Sequence, residues 1–343
     1  MTLTITMDFT AQNIWSLCPQ KGSYYLIQGL RPKRAAPAPY FGICIHEALQ
    51  QWHDPRLGHK GTHECVELMR IFATEAASRT ITSRDDHAFN HMPSCAKCRT
   101  INAFLMAAFD TISPLIELET SENRSIASGL KILDNYMRTF AASEDEYRTQ
   151  MFADGTPMTE KVFTVQLSTH LFYKGRIDGG WTRKRDGRPF IVDHKTTSQL
   201  GPMFLAKAKP NHQYTGYLLM AKLLDIPAEG LIINAINTSK TAHDGKKPTK
   251  STPIPFDRFI TKRTNEEFET FIADMEYKAE MVRGYIKADH FPMNAPDACV
   301  SYNSKCEFIV LCSSAKKTHK SLIEANYIVD PWMGWKAGNA TNN

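Results

Sequence analysis

The chain has 343 residues, of which 42% are hydrophobic, so it can bury a substantial core and fits one elaborated domain better than three. Its formal net charge of +5 suits a polyanionic ligand but is too small to identify one. The sequence starts without the basic and apolar regions of a secretory signal, and it contains no run of 18 apolar residues. We therefore expect a soluble, cytoplasmic protein without a membrane segment.

Helical patterns dominate the first half of the chain. A Pro-rich basic connector at 31–40 precedes residues 41–53, in which apolar side chains recur at helical spacing. Residues 64–150 carry the same 3.6-residue period in three stretches. We expect residues 1–63 to be the N-terminal part of a catalytic domain and residues 64–150 to be a helical insertion.

The pattern becomes strand-like at about residue 160. Apolar residues alternate with polar ones in two consecutive stretches, and a turn at Asp186-Gly187 leads to a short apolar run. We predict strands over 161–170, 171–181, 189–195 and 230–238, and helices over 211–224 and 265–288, the last capped by Thr264 and Glu267. Residues 151–330 would then form the core of an α/β domain, and residues 331–343 a disordered tail.

Two aspartates and a lysine lie on consecutive predicted strands. Asp178 in GRIDGG and Asp193 in IVDHK are each expected at the end of a strand, and Lys195 shares a strand face with Asp193. Converging carboxylates bind Mg²⁺ or Mn²⁺, which activates water and polarises a phosphate, while a lysine stabilises the developing charge. The set is typical of phosphodiesterases, although Asp-x-Lys alone is common and a structural ion pair is the alternative.

The predicted helix at 211–224 adds two polar side chains. Gln213 and Tyr217 are four residues apart and therefore share one helix face. An amide and a phenol on that face can bond a phosphate or a water, whereas a helix surface with a core tyrosine is the simpler interpretation of this pair alone.

The order GRID, DHK and QYTGY resembles the motifs of RecB-type nucleases in the PD-(D/E)XK superfamily, and FGICIHEAL resembles the early helix of that family, which carries a histidine. The resemblance implies an α/β fold with a restriction-endonuclease-like core, in which a mixed central sheet is flanked by helices. It implies that the catalytic metal is bound by His46, Asp178, Asp193 and the backbone carbonyl of His194. It also implies that Lys195 is the catalytic lysine and that Gln213 and Tyr217 support the active site.

Three alternatives stay open around these motifs. Considered alone, His46 is more often a core or capping histidine than a ligand. Glu47 competes with it on the same helical turn. Glu160, expected just before the first strand of the core, resembles an acid that is often found there.

Three cysteines lie close together near the end of the chain, with the spacing Cys299-x₆-Cys306-x₅-Cys312. Grouped thiolates suit a soft metal or an iron–sulfur cluster, with tetrahedral Zn²⁺ and plain buried thiols as alternatives. Iron–sulfur nucleases of the RecB type place one cysteine before the core and three after it. The resemblance therefore implies a 4Fe–4S cluster bound by Cys18 and these three cysteines, which would join the N- and C-terminal segments. The six-residue gap departs from the two-residue gap of some branches.

A second group of metal-type residues, which the resemblance does not cover, consists of His87, His91, Cys95 and Cys98. Two histidines upstream of a Cys-x₂-Cys pair can bind Zn²⁺, and a polar loop with incidental cysteines is the alternative. Cys44 and Cys65 are interpreted as ordinary helix residues.

These patterns together predict a Mg²⁺- or Mn²⁺-dependent DNA exonuclease that acts on single strands or duplex ends. The resemblance places it among phage-type and CRISPR-adaptation-type enzymes of DNA recombination and processing, with a recombinase as a candidate partner. Basic stretches at 182–188 and 245–250 would follow the DNA backbone. The alternatives are a non-catalytic iron–sulfur protein that binds DNA ends and, with less support, a zinc-dependent regulator.

Overall fold

The computed structural model describes residues 3–33, 37–57, 95–108, 124–141, 143–244, 253–301 and 304–332. A mixed sheet of seven strands forms the centre of this part of the chain. Its strands are β1 (Ile5–Met7), β3 (Tyr147–Thr149), β4 (Thr159–Ser168), β5 (Leu171–Arg183), β6 (Pro189–Thr197), β7 (Leu231–Asn237) and β8 (Phe256–Thr261). Two short strands, β2 (Leu30–Pro32) and β11 (Tyr327–Val329), pair antiparallel outside it, as do β9 (Val300–Ser301) and β10 (Ser304–Lys305).

Strand β5 organises the sheet because it has four partners. Its first residues pair with β1 in parallel and with β4 antiparallel, and its last residues pair antiparallel with β3 and β6. From β6 the sheet continues through a parallel pairing to β7 and an antiparallel pairing to β8. Within the described residues, 174–177 pair with β4 alone, so the other edge of β5 opens between the places where β1 and β6 are bonded.

Helices cover both faces of the sheet. The described helices are α1 (Phe9–Leu17), α2 (Pro19–Gly22), α3 (Pro37–Trp52), α4 (Ala96–Ala108), α5 (Ile126–Thr139), α6 (Pro202–Leu205), α7 (His212–Leu223), α8 (Asn265–Ala288), α9 (Ile309–Cys312) and α10 (His319–Asn326). Apolar residues of α1, α7 and α8 pack on one face in a large core that contains Tyr173 and Ile191. A second core joins α3, α4 and α5 and reaches Ile236 of β7 on the other face.

Successive side chains of β7 point to opposite faces of the sheet, so this one strand contributes to the cores on both faces. Leu231 and Ile233 face the α7–α8 core, and Ile232 and Ile236 face the opposite side. All seven residues of β7 are buried, as expected of a central strand covered on both faces. The α/β class and the mixed sheet flanked by helices are therefore confirmed.

Most predicted elements of the second half are confirmed with small shifts in their boundaries. The helix expected over 211–224 is α7, and the helix expected over 265–288 is α8. The capping box predicted for α8 is also present, because Thr264 and Glu267 each accept a hydrogen bond from the other's backbone amide. Its N-terminal turn thus obtains partners for amides that would otherwise lack them.

Three boundary predictions are wrong. Asp178 and Asp193 lie inside their strands rather than at the ends, because β5 and β6 extend beyond them to other strand partners. Glu160 lies inside β4, which begins at Thr159. Helix α3 begins at Pro37 inside the predicted connector, since a proline in the first helical turn needs no amide partner.

The predicted helical block at 64–150 is described only in part. Its described portion contains α4 and α5, but Tyr147–Thr149 is a strand that pairs with β5 rather than part of a helix. Residues 64–94 and 109–123 lie outside the described residues, as do 333–343 of the predicted tail. Among the described helices, none has the length and apolar character needed to cross a membrane.

Candidate functional site

Strands β5 and β6 separate at the two aspartates. Their last ladder pair is Gly179 with Val192, and continuing this register would bring Asp178 opposite Asp193. Instead, the backbone amide of His194 donates to Asp178 Oδ2 at 2.7 Å. A side-chain carboxylate thus takes the place of a ladder acceptor, and both acids are buried where the strands part.

A third acid, Glu160, approaches from the other side of β5. The register of β4 on β5 places Glu160 opposite Asp178, between the pairs formed by Thr159 and Lys161. The backbone of Glu160 has φ +49°, a left-handed conformation that is unfavourable for a residue with a side chain and that interrupts the regular strand. Arg176 Nε lies 2.9 Å from Glu160 Oε2, an ionic contact without hydrogen-bond geometry.

Helix α3 brings His46 to the two acids. His46 Nδ1 lies 3.4 Å from Asp178 Oδ2, and one ligand atom each from His46, Glu160 and Asp178 lie within 4.8 Å of one another. We call these three residues the acidic site. His46 is also hydrogen-bonded to the backbone of His194, whose carbonyl is the group that can accept from an imidazole.

Lys195 pairs with Asp193 at the edge of the acidic site. Its ammonium lies 2.9 Å from Asp193 Oδ1 and 2.7 Å from Oδ2, so the two side chains share a strand face. Asp193 is almost completely buried, whereas the Lys195 side chain is 31% exposed. The Lys195 side chain is therefore paired with a buried carboxylate and is itself partly accessible to solvent.

Two side chains of helix α7 hold Asp193 in place through hydrogen bonds. Gln213 Nε2 lies 3.4 Å from Asp193 Oδ1 and donates to the hydroxyl of Tyr217 at 3.0 Å. The two residues share a helix face, as their spacing indicates, and the buried Tyr217 orients the amide toward Asp193.

Burial and mutual repulsion make the charged forms of these carboxyls costly. Burial first, and then the charge of Asp178, raise the pKa of Glu160 to about 8. Burial also raises the pKa of Asp193 to about 6 and the pKa of Asp178, although the nearby Lys195 charge opposes both shifts. A cation placed among the three acids would remove this repulsion.

The pKa of His46 moves in the opposite direction. Burial and the Lys195 charge lower it to about 4, so the ring is neutral at pH 7 and keeps a lone pair for a ligand. A neutral imidazole stands beside buried carboxylates, and the contacts of Glu160 Oε2 with Arg176 and of Asp193 Oδ2 with Lys195 are ionic contacts without hydrogen-bond geometry. This set of groups suits a divalent cation.

The grouping found in the structure differs from the predicted ligand set in one respect. Glu160 is within the compact group, whereas Asp193 stands beside it and is paired with Lys195. The ring of His194 lies near His46 in an edge-to-face arrangement, but only its backbone contacts Asp178. Strand pairing provides the signal for Glu160, because a residue opposite Asp178 on β4 is brought next to it.

The four cysteines predicted to bind a cluster lie near one another. Cys18 connects α1 to α2, the amide of Cys306 donates to the carbonyl of Cys299 at 2.8 Å, and Cys312 ends α9. Burial, followed by the charges of Cys306, Cys18 and Cys299, raises the pKa of Cys312 to about 11. Tyr24, which hydrogen-bonds Cys312, and Phe308 belong to the small apolar core beside these thiols.

The second predicted metal group is described only in part. Cys95 precedes α4 and Cys98 lies in its first turn, whereas His87 and His91 lie outside the described residues. Of the basic stretches, residues 245–250 also lie outside them. In the stretch 182–188, Arg183 is bound to Asp186 at 2.5 Å, and Asp186 also contacts Arg185 and Arg188, so part of its positive charge is neutralised within the turn.

The structure thus contains an α/β domain whose mixed sheet carries buried acids next to a lysine at a split between two strands. The sequence model of the PD-(D/E)XK nuclease superfamily matches residues 16–313, which is most of the chain. The chain therefore belongs to the PD-(D/E)XK nuclease superfamily, and its substrate is a nucleic acid. The acidic site, Asp193 and Lys195 all lie within the matched residues.

Other comparisons add little to this assignment. A crystal structure of a protein named "Putative exonuclease" from Eubacterium rectale is similar over 90% of this chain and 94% of that chain, with 9% identity and a TM-score of 0.38. At these values we draw no argument from it. No curated protein sequence matches the chain.

Proposed function

We propose that this chain is a Mg²⁺- or Mn²⁺-dependent DNA exonuclease of the RecB type. The observation that carries the proposal is the acidic site, in which His46, Glu160 and Asp178 bring three ligand atoms within 4.8 Å of one another, next to the Asp193–Lys195 pair. Carboxylate oxygens with one imidazole are suitable ligands for these cations.

The residues that would hold the ion are His46, Glu160, Asp178 and Asp193, with the carbonyl of His194 as a further candidate. When bound, such an ion lowers the pKa of water and offsets charge on a phosphate oxygen. The contribution of this chain would be to hold carboxylate oxygens close together at a split in the sheet.

Lys195 and helix α7 would act on the substrate side. The Lys195 ammonium has three hydrogens, and its contacts with Asp193 leave capacity for one bond to a scissile phosphate or to the attacking water. Gln213 holds Asp193 Oδ1, and Tyr217 holds Gln213, so both residues keep the carboxylate at the lysine. The positive charge of Lys195 would stabilise the added negative charge of the transition state.

We further propose that Cys18, Cys299, Cys306 and Cys312 bind a 4Fe–4S cluster, with Zn²⁺ as the alternative metal. Support comes from their proximity, which is evident in their joint effect on the pKa of Cys312. The cluster would add a covalent connection between segments that already meet through the β2–β11 pairing. A role in phage-type DNA processing with a recombinase partner rests on the resemblance of the motifs alone.

The test uses linear and covalently closed circular duplex DNA of one sequence, and a single strand, each with stripped protein and added Mg²⁺, Mn²⁺ or Ca²⁺. We expect Mg²⁺ and Mn²⁺ to support degradation of linear DNA while the circle stays intact. Asp193→Asn and Lys195→Met should abolish cleavage in folded protein, and Lys222→Met on the far end of α7 is the matched control. Metal-independent cleavage, or activity in Asp193→Asn, would overturn the proposal, and cleavage of the circle would make the enzyme an endonuclease.

A further inference from the structure

A buried polar network lies behind the acidic site, on the face of β6 opposite Asp193 and Lys195. It starts at His194, whose Nδ1 lies 2.8 Å from Asn234 Nδ2 on the neighbouring strand β7. Asn234 also contacts the hydroxyl of Tyr136 at 2.9 Å and is contacted by Arg258 Nε at 3.0 Å. Arg258 ends the network in a two-pronged pairing with Asp145 at 2.6 and 3.1 Å.

Arg258 fixes the direction of every bond in this network, because a guanidinium only donates. Asn234 must turn its oxygen toward Arg258, so its NH₂ group donates to His194 and Tyr136. His194 therefore accepts at Nδ1 and carries its proton on Nε2. Tyr136 accepts from Asn234 and Arg258, which leaves its own proton for His53 Nε2 at 3.0 Å.

The network is buried and surrounded by aromatic rings. Asn234 is fully buried, and Arg258 and Asp145 have side chains only 9% and 8% exposed. The guanidinium lies 3.6 Å from the ring centre of Phe140 and 4.4 Å from that of Trp181. A charge pair in such surroundings costs desolvation energy, and an apolar core would serve stability at least as well.

The backbone of His194 links this network to the acidic site. Its amide donates to Asp178, and its carbonyl bonds the His46 ring, so the backbone of one residue contacts two of the three members of the site. Since β5 and β6 have separated here, the ladder no longer holds this edge of β6. On its other edge β6 stays paired with β7, where His194 is the register partner of Asn234, and the bond between the His194 ring and Asn234 adds a side-chain support to that pairing.

We propose that Arg258, held by Asp145, is a positioning residue of the acidic site and acts through Asn234 and His194. The metal-binding part of this inference rests on the proposed function. Residues that orient metal ligands from behind in this way change metal affinity or activity by about 10- to 100-fold when they are removed. Arg258 lies on β8, outside every motif found in the sequence.

The test compares two substitutions that conserve shape and each remove three hydrogen bonds of the network. Asn234→Leu removes the bonds to His194, Tyr136 and Arg258, whereas Tyr136→Phe removes those to Asn234, Arg258 and His53. Only the first detaches His194. Thermal unfolding shows whether the two variants are comparably destabilised, and Arg258→Lys, which loses the planar fork, repeats the test if Asn234→Leu does not fold.

Two measurements are made on metal-stripped protein: Mn²⁺ affinity by calorimetry, and amide hydrogen exchange in peptides that cover residues 189–197. For Asn234→Leu we expect Mn²⁺ affinity to fall at least about tenfold and exchange at His194 to accelerate, with Tyr136→Phe close to wild type in both. Equal effects in the two variants would overturn the proposal. If the wild type binds no Mn²⁺, the proposed function fails, and the exchange comparison still decides whether Asn234 holds the His194 peptide.

Discussion

The acidic site and the group of four cysteines (Cys18, Cys299, Cys306 and Cys312), called here the cysteine cluster, lie against apolar cores of very different size. The acidic site lies on β4, β5 and α3, between two large apolar cores that cover both faces of the sheet. The four cysteines lie beside a small core with five buried residues, and the strands β2 and β11 next to it have three residues each. Large apolar cores can stabilise a fold that contains mutually repelling carboxyls. A small core contributes less to stability, so the region around it would depend more on bound metal.

The difference predicts which residues matter for function and which for stability. At the acidic site the carboxyls are buried against their preference, as the raised pKa values of Glu160, Asp178 and Asp193 show. Their removal should harm activity without unfolding the protein. At the four cysteines, loss of a proposed metal ligand should lower stability, because a bound metal would supply folding free energy that a small core lacks.

The largest effect is expected at Asp193. Asp193→Ala should lower the rate of DNA cleavage by about 10³-fold or more, because the residue contacts Lys195 and is itself one of the proposed metal ligands. The melting temperature of the metal-free protein should stay the same or rise. Cleavage assays and calorimetry on one preparation measure the cleavage rate and the melting temperature. If the variant unfolds, the two apolar cores stabilise this part of the fold less than we expect.

Sequence patterns could predict the parts of the site that have fixed spacing along the chain. Asp193 and Lys195 share a strand face and Gln213 and Tyr217 share a helix face, so local periodicity was sufficient for these pairs. Four of the seven strands of the sheet (β4 to β7) and the capped helix α8 followed from the same periodicity and from turn and cap residues, whereas β1, β3 and β8 were not predicted.

Features that depend on strand pairing could not be predicted in this way. Glu160 joins the acidic site because its strand register places it opposite Asp178 and because its backbone is left-handed. Neither feature can be predicted from the residues next to it in the sequence. Arg258 meets Asp145 from 113 residues away, on a strand that carries no motif. The split between β5 and β6, which creates the site, begins where the β5–β6 ladder ends while β6 stays paired with β7 on its other edge.

The second largest effect is expected at the cysteine cluster. Cys312→Ser should reduce the iron or zinc content and lower the melting temperature by about 5 °C or more, while the folded fraction keeps its metal-dependent cleavage. Cys44→Ser is the matched control, since Cys44 is a buried thiol of the α3 core. Metal analysis with thermal unfolding measures the effect, and equal melting temperatures for Cys312→Ser and wild type would remove the proposed structural role.

A smaller effect with opposite signs for stability and activity is expected at Glu160. Its carboxyl has a pKa of about 8 in the folded chain, above the ordinary value of 4.5, so the folded state holds an extra proton between these pH values. Stability of the metal-free protein should therefore fall as pH rises through this window, by at most about 1.4 kcal/mol per pH unit. Glu160→Gln should flatten this dependence and weaken Mn²⁺ binding. Denaturant unfolding in EDTA at pH 5 and pH 8 measures the slope, and Glu144→Gln at an exposed acid is the control.

The smallest effect is expected far from both regions, at the N-terminus of α8. Thr264 accepts a hydrogen bond from the amide of Glu267, and the Glu267 carboxylate accepts one from the amide of Thr264. Thr264→Ala should lower the free energy of unfolding by about 1 kcal/mol, since one amide in the first turn of the helix loses its side-chain partner. It should leave metal content and cleavage unchanged, because α8 packs with α1 and α7 in an apolar core whose members include none of the acidic-site residues and none of the four cysteines. Denaturant unfolding, cleavage and metal analysis of this variant set the scale for the others. If this small loss of stability also reduced cleavage, the effects of the Asp193 and Glu160 substitutions would have to be attributed in part to lower stability of the fold rather than to loss of the carboxyl groups.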